Sequence, residues 1–166
     1  MSGNTIAVSA TVNGDQVRRM IAARTTLAEF LRDELGLTGT KVSCEMQVCG
    51  VCTVLVDSMP VSACTYLAID IDDRQVATIE GLAPSPDQLH PIQEAFIAEF
   101  ALQCGFCTPG FIMATKALLD ETSMPSSAEV IHYLEGNICR CTGYQPIVKA
   151  VMRAAEAIER GRDASE

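Results

Sequence analysis

Residues 44–52 read Cys44-Glu45-Met46-Gln47-Val48-Cys49-Gly50-Val51-Cys52, and a further cysteine follows at Cys64. The spacing is C-x4-C-x2-C with a later fourth cysteine, a pattern in which four thiolates hold a [2Fe–2S] cluster. Two ferric ions against two sulfides and four thiolates leave a net charge of about −2, which backbone N–H groups must offset. The chain therefore has to fold tightly around the sulfurs. Gly50 supplies a left-handed or closely packed backbone inside that loop.

Working outward, the flanks read as a small sheet with one helix across it. Thr5–Thr11 alternates with Ile6, Val8 and Ala10 on one face, and Asn13-Gly14 is a hairpin turn signal. Val17 and Met20 belong to a returning strand. Thr26 precedes a helix carrying Leu27, Phe30, Leu31 and Leu35, which Gly36 stops. Thr53–Val56 is a β-branched strand, Asp57-Ser58 a turn, and Pro60-Val61 a short return.

Ala83-Pro84-Ser85-Pro86-Asp87 is rich in turn residues and marks a linker. Every later segment reads as helix. Leu89–Leu102 carries Ile92, Phe96 and Phe100 four apart. Thr108 is expected as an N-cap with Pro109 at the first helical position. Ser126 with Glu129 makes a capping box for a helix stopping near Gly136. Pro146 opens a last helix bearing Ile147, Val151, Ala154 and Ile158, which Gly161 is expected to close. The expected class is α+β, with an antiparallel four-helix bundle after the strands. The expected domains are residues 1–80, a linker at 81–88, and residues 89–166.

A second quartet, Cys104, Cys107, Cys139 and Cys141, accounts for the remaining cysteines of the eight in the chain. In an up-down-up-down bundle the loops between helices one and two and between three and four share one end, so these thiolates can converge. Gly105 is expected to allow a close turn there, and Phe106 and Phe111 to shield the site. Spacing alone leaves zinc open for this quartet. His90, at a helix start, reads as a cap or surface residue, and His132 as surface or interface.

The net charge of −9 and a sequence pI of about 4.6 argue against a nucleic-acid or anionic-membrane partner. No apolar run reaches membrane-spanning length, and Met1–Asp15 lacks the basic and apolar regions of a secretory signal. A cytoplasmic location follows as the expectation, where thiols stay reduced and serve as ligands rather than disulfides.

The stretches CEMQVCGVCTVLVD, ACTYLA, TIEGLA, LHPIQEAF, QCGFCTPGF and GNICRCTGYQPI resemble the small two-cluster iron–sulfur subunit of the xanthine oxidase family of molybdenum hydroxylases. The resemblance runs from about Val8 to Ile158. It implies a β-grasp ferredoxin-like N-terminal domain and a helical domain whose cluster lies near a molybdopterin on a large partner subunit. The pterin would carry a cytosine dinucleotide, and a medium subunit would bind FAD. It further implies a dimer of heterotrimers, an oxidoreductase whose substrate site lies on another chain, and pterin contacts from Gln103 and Cys141. Many relatives have glycines where this chain has Ser43, Glu45, Met46, Gln47 and Val48. The cysteines and Gly50 remain, so the loop's hydrogen bonds are where this chain would differ. A zinc-binding adaptor and a free-standing two-cluster ferredoxin are the rival readings.

Overall fold

The computed structural model describes residues 5–85 and 87–163. Residues 1–4 and 164–166, at the outer ends of the expected domains, and Pro86 of the expected linker lie outside the described residues.

The chain is α+β. Strands β1 (Thr5–Val12) and β2 (Asp15–Ala22) form the expected hairpin. Asn13 and Gly14 take φ of 52° and 90°, a conformation Asn and Gly tolerate best and one that matches the twist of the paired strands. Val8, Ala10 and Val12 are buried, whereas Ile6 is exposed near the strand's open end. Strands β3 (Thr53–Val56) and β4 (Met59–Ser62) are joined through Asp57 and Ser58, also at positive φ.

A three-residue strand, β5 (Gln75–Ala77), has no counterpart in the sequence reading. It lies at the centre of the sheet, whose order is β2-β1-β5-β3-β4. It runs parallel to β1 and antiparallel to β3. Asp57 ties it in by accepting the Gln75 N–H at 2.9 Å.

Helix α1 (Leu27–Glu29) starts at a capping box. Thr26 N–H donates to Glu29 Oε2 at 2.8 Å, and Glu29 N–H donates to Thr26 Oγ1 at 3.2 Å. It widens at once into a π-helical turn over Phe30–Glu34, and Gly36 ends it at φ 72°. Leu27, Phe30 and Leu31 pack into the sheet core with Val8, Val54, Val56 and Val76.

The later half contains α2 (Pro91–Ala98), α3 (Thr108–Glu121), α4 (Ser127–Tyr133) and α5 (Gln145–Asp163). Ile92, Phe96, Phe111, Leu118, Val130 and Val151 form its core. His90 caps α2, its Nδ1 accepting the Ile92 N–H at 3.2 Å. His132 is exposed, 3.5 Å from Glu135. Three helix ends differ from expectation. Helix α2 stops at Ala98, because Phe100 takes φ 53° and lets Ala101 N–H reach the Phe96 carbonyl, a C-terminal closure of Schellman type. Cys107 already has helical dihedrals and occupies the cap position of α3, so Thr108 lies inside the first turn and its buried hydroxyl finds no partner among the described residues. Helix α5 runs through Gly161 to Asp163, with Arg160 and Arg162 favourably placed at its C-terminal end.

The two halves are fused through α3. One side of it enters the helical core, while Met113 and Ala117 pack on Leu55 of β3. That second cover explains why all of Thr53–Val56 is buried. At the start of α3, a Cβ on Gly110 would collide with the Gly50 carbonyl oxygen and lie 2.8 Å from that of Val51. Backbone cannot yield as a side chain can, so Gly110→Ala should cost about 1–3 kcal/mol in denaturant unfolding. Gly136→Ala, where a Cβ meets nothing within 4 Å, should cost far less.

Candidate iron–sulfur site

The first quartet sits on the loop entering β3 and on the segment after β4. Glu45 and Gln47 adopt φ of 55° and 59°, unusual for residues with side chains, and Gly50 adopts 63°. Left-handed residues alternating with ordinary ones turn successive N–H groups inward, which builds an anion-binding nest. Its occupant is the Cys44 sulfur. Val48 N–H donates to Cys44 Sγ at 3.4 Å. The N–H groups of Met46, Val48 and Cys49 together hold the Cys44 thiol down to about 6. Deeper in, burial pushes Cys52 up to about 12. Cys64 N–H donates to Cys52 Sγ at 3.4 Å.

The second quartet forms where the α2–α3 and α4–α5 loops meet, at one end of the helices as the topology predicted. Cys104 and Cys141 are exposed, with sulfurs 3.6 Å apart. Cys107 and Cys139 lie further in and contact one another, and burial pushes Cys107 up to about 12. Burial is the largest influence on Cys139 and works to raise it, but the hydrogen bonds from Thr142, the Cys141 N–H and Cys107 together bring the thiol below its usual value. The Thr142 hydroxyl donates to Cys139 Sγ at 3.2 Å and its N–H at 3.5 Å. Cys139 N–H in turn donates to the Tyr144 hydroxyl at 3.0 Å. Tyr144 stands edge-on to Phe111, with ring centroids 6.4 Å apart.

Gly105, at φ 79°, provides the turn expected of it, and Phe111 is fully buried beside the site. Phe106, expected as a shield, is nearly half exposed. Gln103 is exposed on the loop immediately before Cys104. Thr142, Tyr144 and Asn137 escaped the sequence reading. Their only signal was position, immediately around the Cys139-x-Cys141 pair.

The donor set suits a two-iron centre. Sulfurs gather in pairs, Cys44 with Cys49 and Cys52 with Cys64, then Cys104 with Cys141 and Cys107 with Cys139. Two thiolates for each iron is how a [2Fe–2S] centre takes four cysteines, whereas one zinc draws all four to a single point. The buried thiols release their protons when metal binds, so the metal supplies the charge that burial would otherwise forbid.

A hydrogen bond to a ligand sulfur favours the more negative, reduced cluster. Thr142→Val removes the hydroxyl donor and keeps the shape. In the iron-loaded protein it should lower the midpoint potential of the Cys104/Cys107/Cys139/Cys141 centre by about 40 mV, the equivalent of about 1 kcal/mol for one electron. The other centre should stay where it was in a spectroscopic redox titration.

Residues 10–81 match the model of the 2Fe-2S iron-sulfur cluster binding domain, and residues 78–152 match that of the [2Fe-2S] binding domain. The chain is 48% identical over 149 residues to the nicotine 6-hydroxylase small subunit of Paenarthrobacter nicotinovorans, covering 90% of this chain and 89% of that one. Quinoline 2-oxidoreductase from Pseudomonas putida 86 superposes with a TM-score of 0.91 at 41% identity, over 96% of this chain and 99% of that one. Aldehyde oxidoreductase from Desulfovibrio gigas gives a TM-score of 0.90 at 43% identity, over 94% of this chain but only 17% of that much longer one. Paired thiols, two adjoining [2Fe-2S] domain matches and similarity that runs along nearly the whole chain agree, and the chain belongs to the small iron–sulfur subunits of the molybdenum hydroxylase family.

Proposed function

We propose that this chain carries two [2Fe–2S] clusters and relays electrons from a molybdopterin site on a large partner subunit to FAD on a medium one. In this reading Cys44, Cys49, Cys52 and Cys64 hold the ferredoxin-type cluster within a β-grasp domain, residues 1–80. Cys104, Cys107, Cys139 and Cys141 hold the second within a helical domain, residues 89–166, after a linker at 81–88. The helices form an antiparallel four-helix bundle. When bound, the clusters supply reversible one-electron chemistry; the chain binds them, screens them from water and sets their potentials.

The observation that carries the reading is the exposed Cys104–Cys141 pair and its surroundings. Leu102, Phe106, Ile138 and Tyr144 stand exposed on the same loops. Thiols left at the surface within an apolar rim suit a site that another chain covers. Gln103 and Cys141 then face the cofactor that the partner holds, a molybdopterin with a cytosine dinucleotide. Substrate binds on the partner, and this chain acts as the oxidoreductase's electron-transfer subunit. The assembly is a dimer of heterotrimers in the cytoplasm. Among the described residues no helix is long and apolar enough to cross a membrane.

Gln103→Ala tests the docking end. It removes hydrogen bonds worth on the order of 1 kcal/mol each without touching a cluster ligand. In the purified complex, reduction of the clusters by substrate should slow by about fivefold, the equivalent of about 1 kcal/mol. Reduction by an added chemical reductant should be unaffected. Unchanged substrate-driven reduction would remove Gln103 from the cofactor's surroundings.

A further inference from the structure

The two cysteine loops touch each other directly. Ile138 donates its backbone N–H to the Cys49 carbonyl at 2.9 Å. One residue earlier, Asn137 Nδ2 donates to the Gly50 carbonyl at 2.9 Å in a buried hydrogen bond. Cys49 belongs to one quartet, and Cys139, next to Ile138, belongs to the other. A line from the Cys49 sulfur to the Cys139 sulfur therefore runs along covalent bonds with one hydrogen bond between. We propose that Asn137 is a positioning residue: it holds the Cys49 carbonyl against the Ile138 N–H and so maintains the bonded link between the two clusters.

Three features support that role. Asn137 is only 7% exposed, so its amide lies across the seam rather than in solvent. Gly50 is shaped to receive it, since a Cβ there would lie 2.6 Å from Asn137 Nδ2. The Gly50 carbonyl is further fixed by the Thr53 hydroxyl at 2.7 Å, which orients the acceptor. Electron transfer between fixed centres weakens steeply wherever it must cross a gap between non-bonded atoms. A hydrogen bond is a much smaller interruption than such a gap, so whatever keeps it closed governs the rate.

The proposal rests on the two-cluster reading, and the test separates the two. Asn137→Ala is compared with Ser126→Ala, which weakens the start of α4 without touching the seam. Both are measured in the assembled complex after iron content has been determined. In N137A the Ile138 amide should exchange about tenfold faster, equivalent to about 1.4 kcal/mol. Electron transfer between clusters after rapid photoreduction should slow in parallel, and the magnetic interaction between the two reduced centres should weaken. Midpoint potentials should hold, and S126A should move none of these. Should N137A lose iron, N137L is measured in the same way, because it keeps much of the shape and has no donor. Two intact clusters whose exchange rate ignores both variants overturn the proposal. A wild-type chain without iron in both quartets defeats the two-cluster reading instead.

Discussion

The close approach of backbones at Gly50 governs the rest of the structure. Gly110 presses on it from α3, and Gly136-Asn137 presses from the loop after α4. Two polar loops brought that close must satisfy their amides within the protein, and they do so against each other. The sheet, the helices and both cysteine quartets are consequently in register with one another. Helix α3 makes the arrangement rigid by serving both halves, with Met113 on the strand side and Phe111 and Leu118 on the helical side.

The two quartets are stabilised by different means. The first relies on main-chain N–H groups, and two residues with side chains, Glu45 and Gln47, are held at positive φ to aim them. Each such residue carries a strain cost of about 1 kcal/mol or more. The sequence reading marked these positions as departures from glycine; the structure keeps the left-handed backbone without it. The second quartet adds side chains to its main-chain donors, with the Thr142 hydroxyl as well as its N–H on the Cys139 sulfur and Tyr144 on the Cys139 N–H. With a cluster bound, a potential tuned by backbone donors would resist point substitution, whereas one tuned by the Thr142 hydroxyl would change with a single residue.

What could be read in the sequence was local. Asn13-Gly14 announced its hairpin, and the Ser126/Glu129 pair lies where its capping box forms. Helix order alone brought Cys104 and Cys141 to one end. Interactions between distant segments were hidden. Strand β5 has three residues and depends on β1 and β3 for its pairing, so no alternation betrays it. Nothing in Gly110 or Asn137 points to Gly50, because each becomes meaningful only once the loops meet. Thr108 misled because a cap motif was matched to a turn that Cys107 had already begun.

The central claim is that both quartets of this chain hold two-iron clusters. Iron, acid-labile sulfide and zinc determined on the purified protein test it most directly, together with electron paramagnetic resonance of the reduced form. The account predicts about four iron and four sulfide per chain, from two clusters, and two separate reduced signals. Zinc in either quartet, or a single reduced signal accompanied by about two iron, would contradict it.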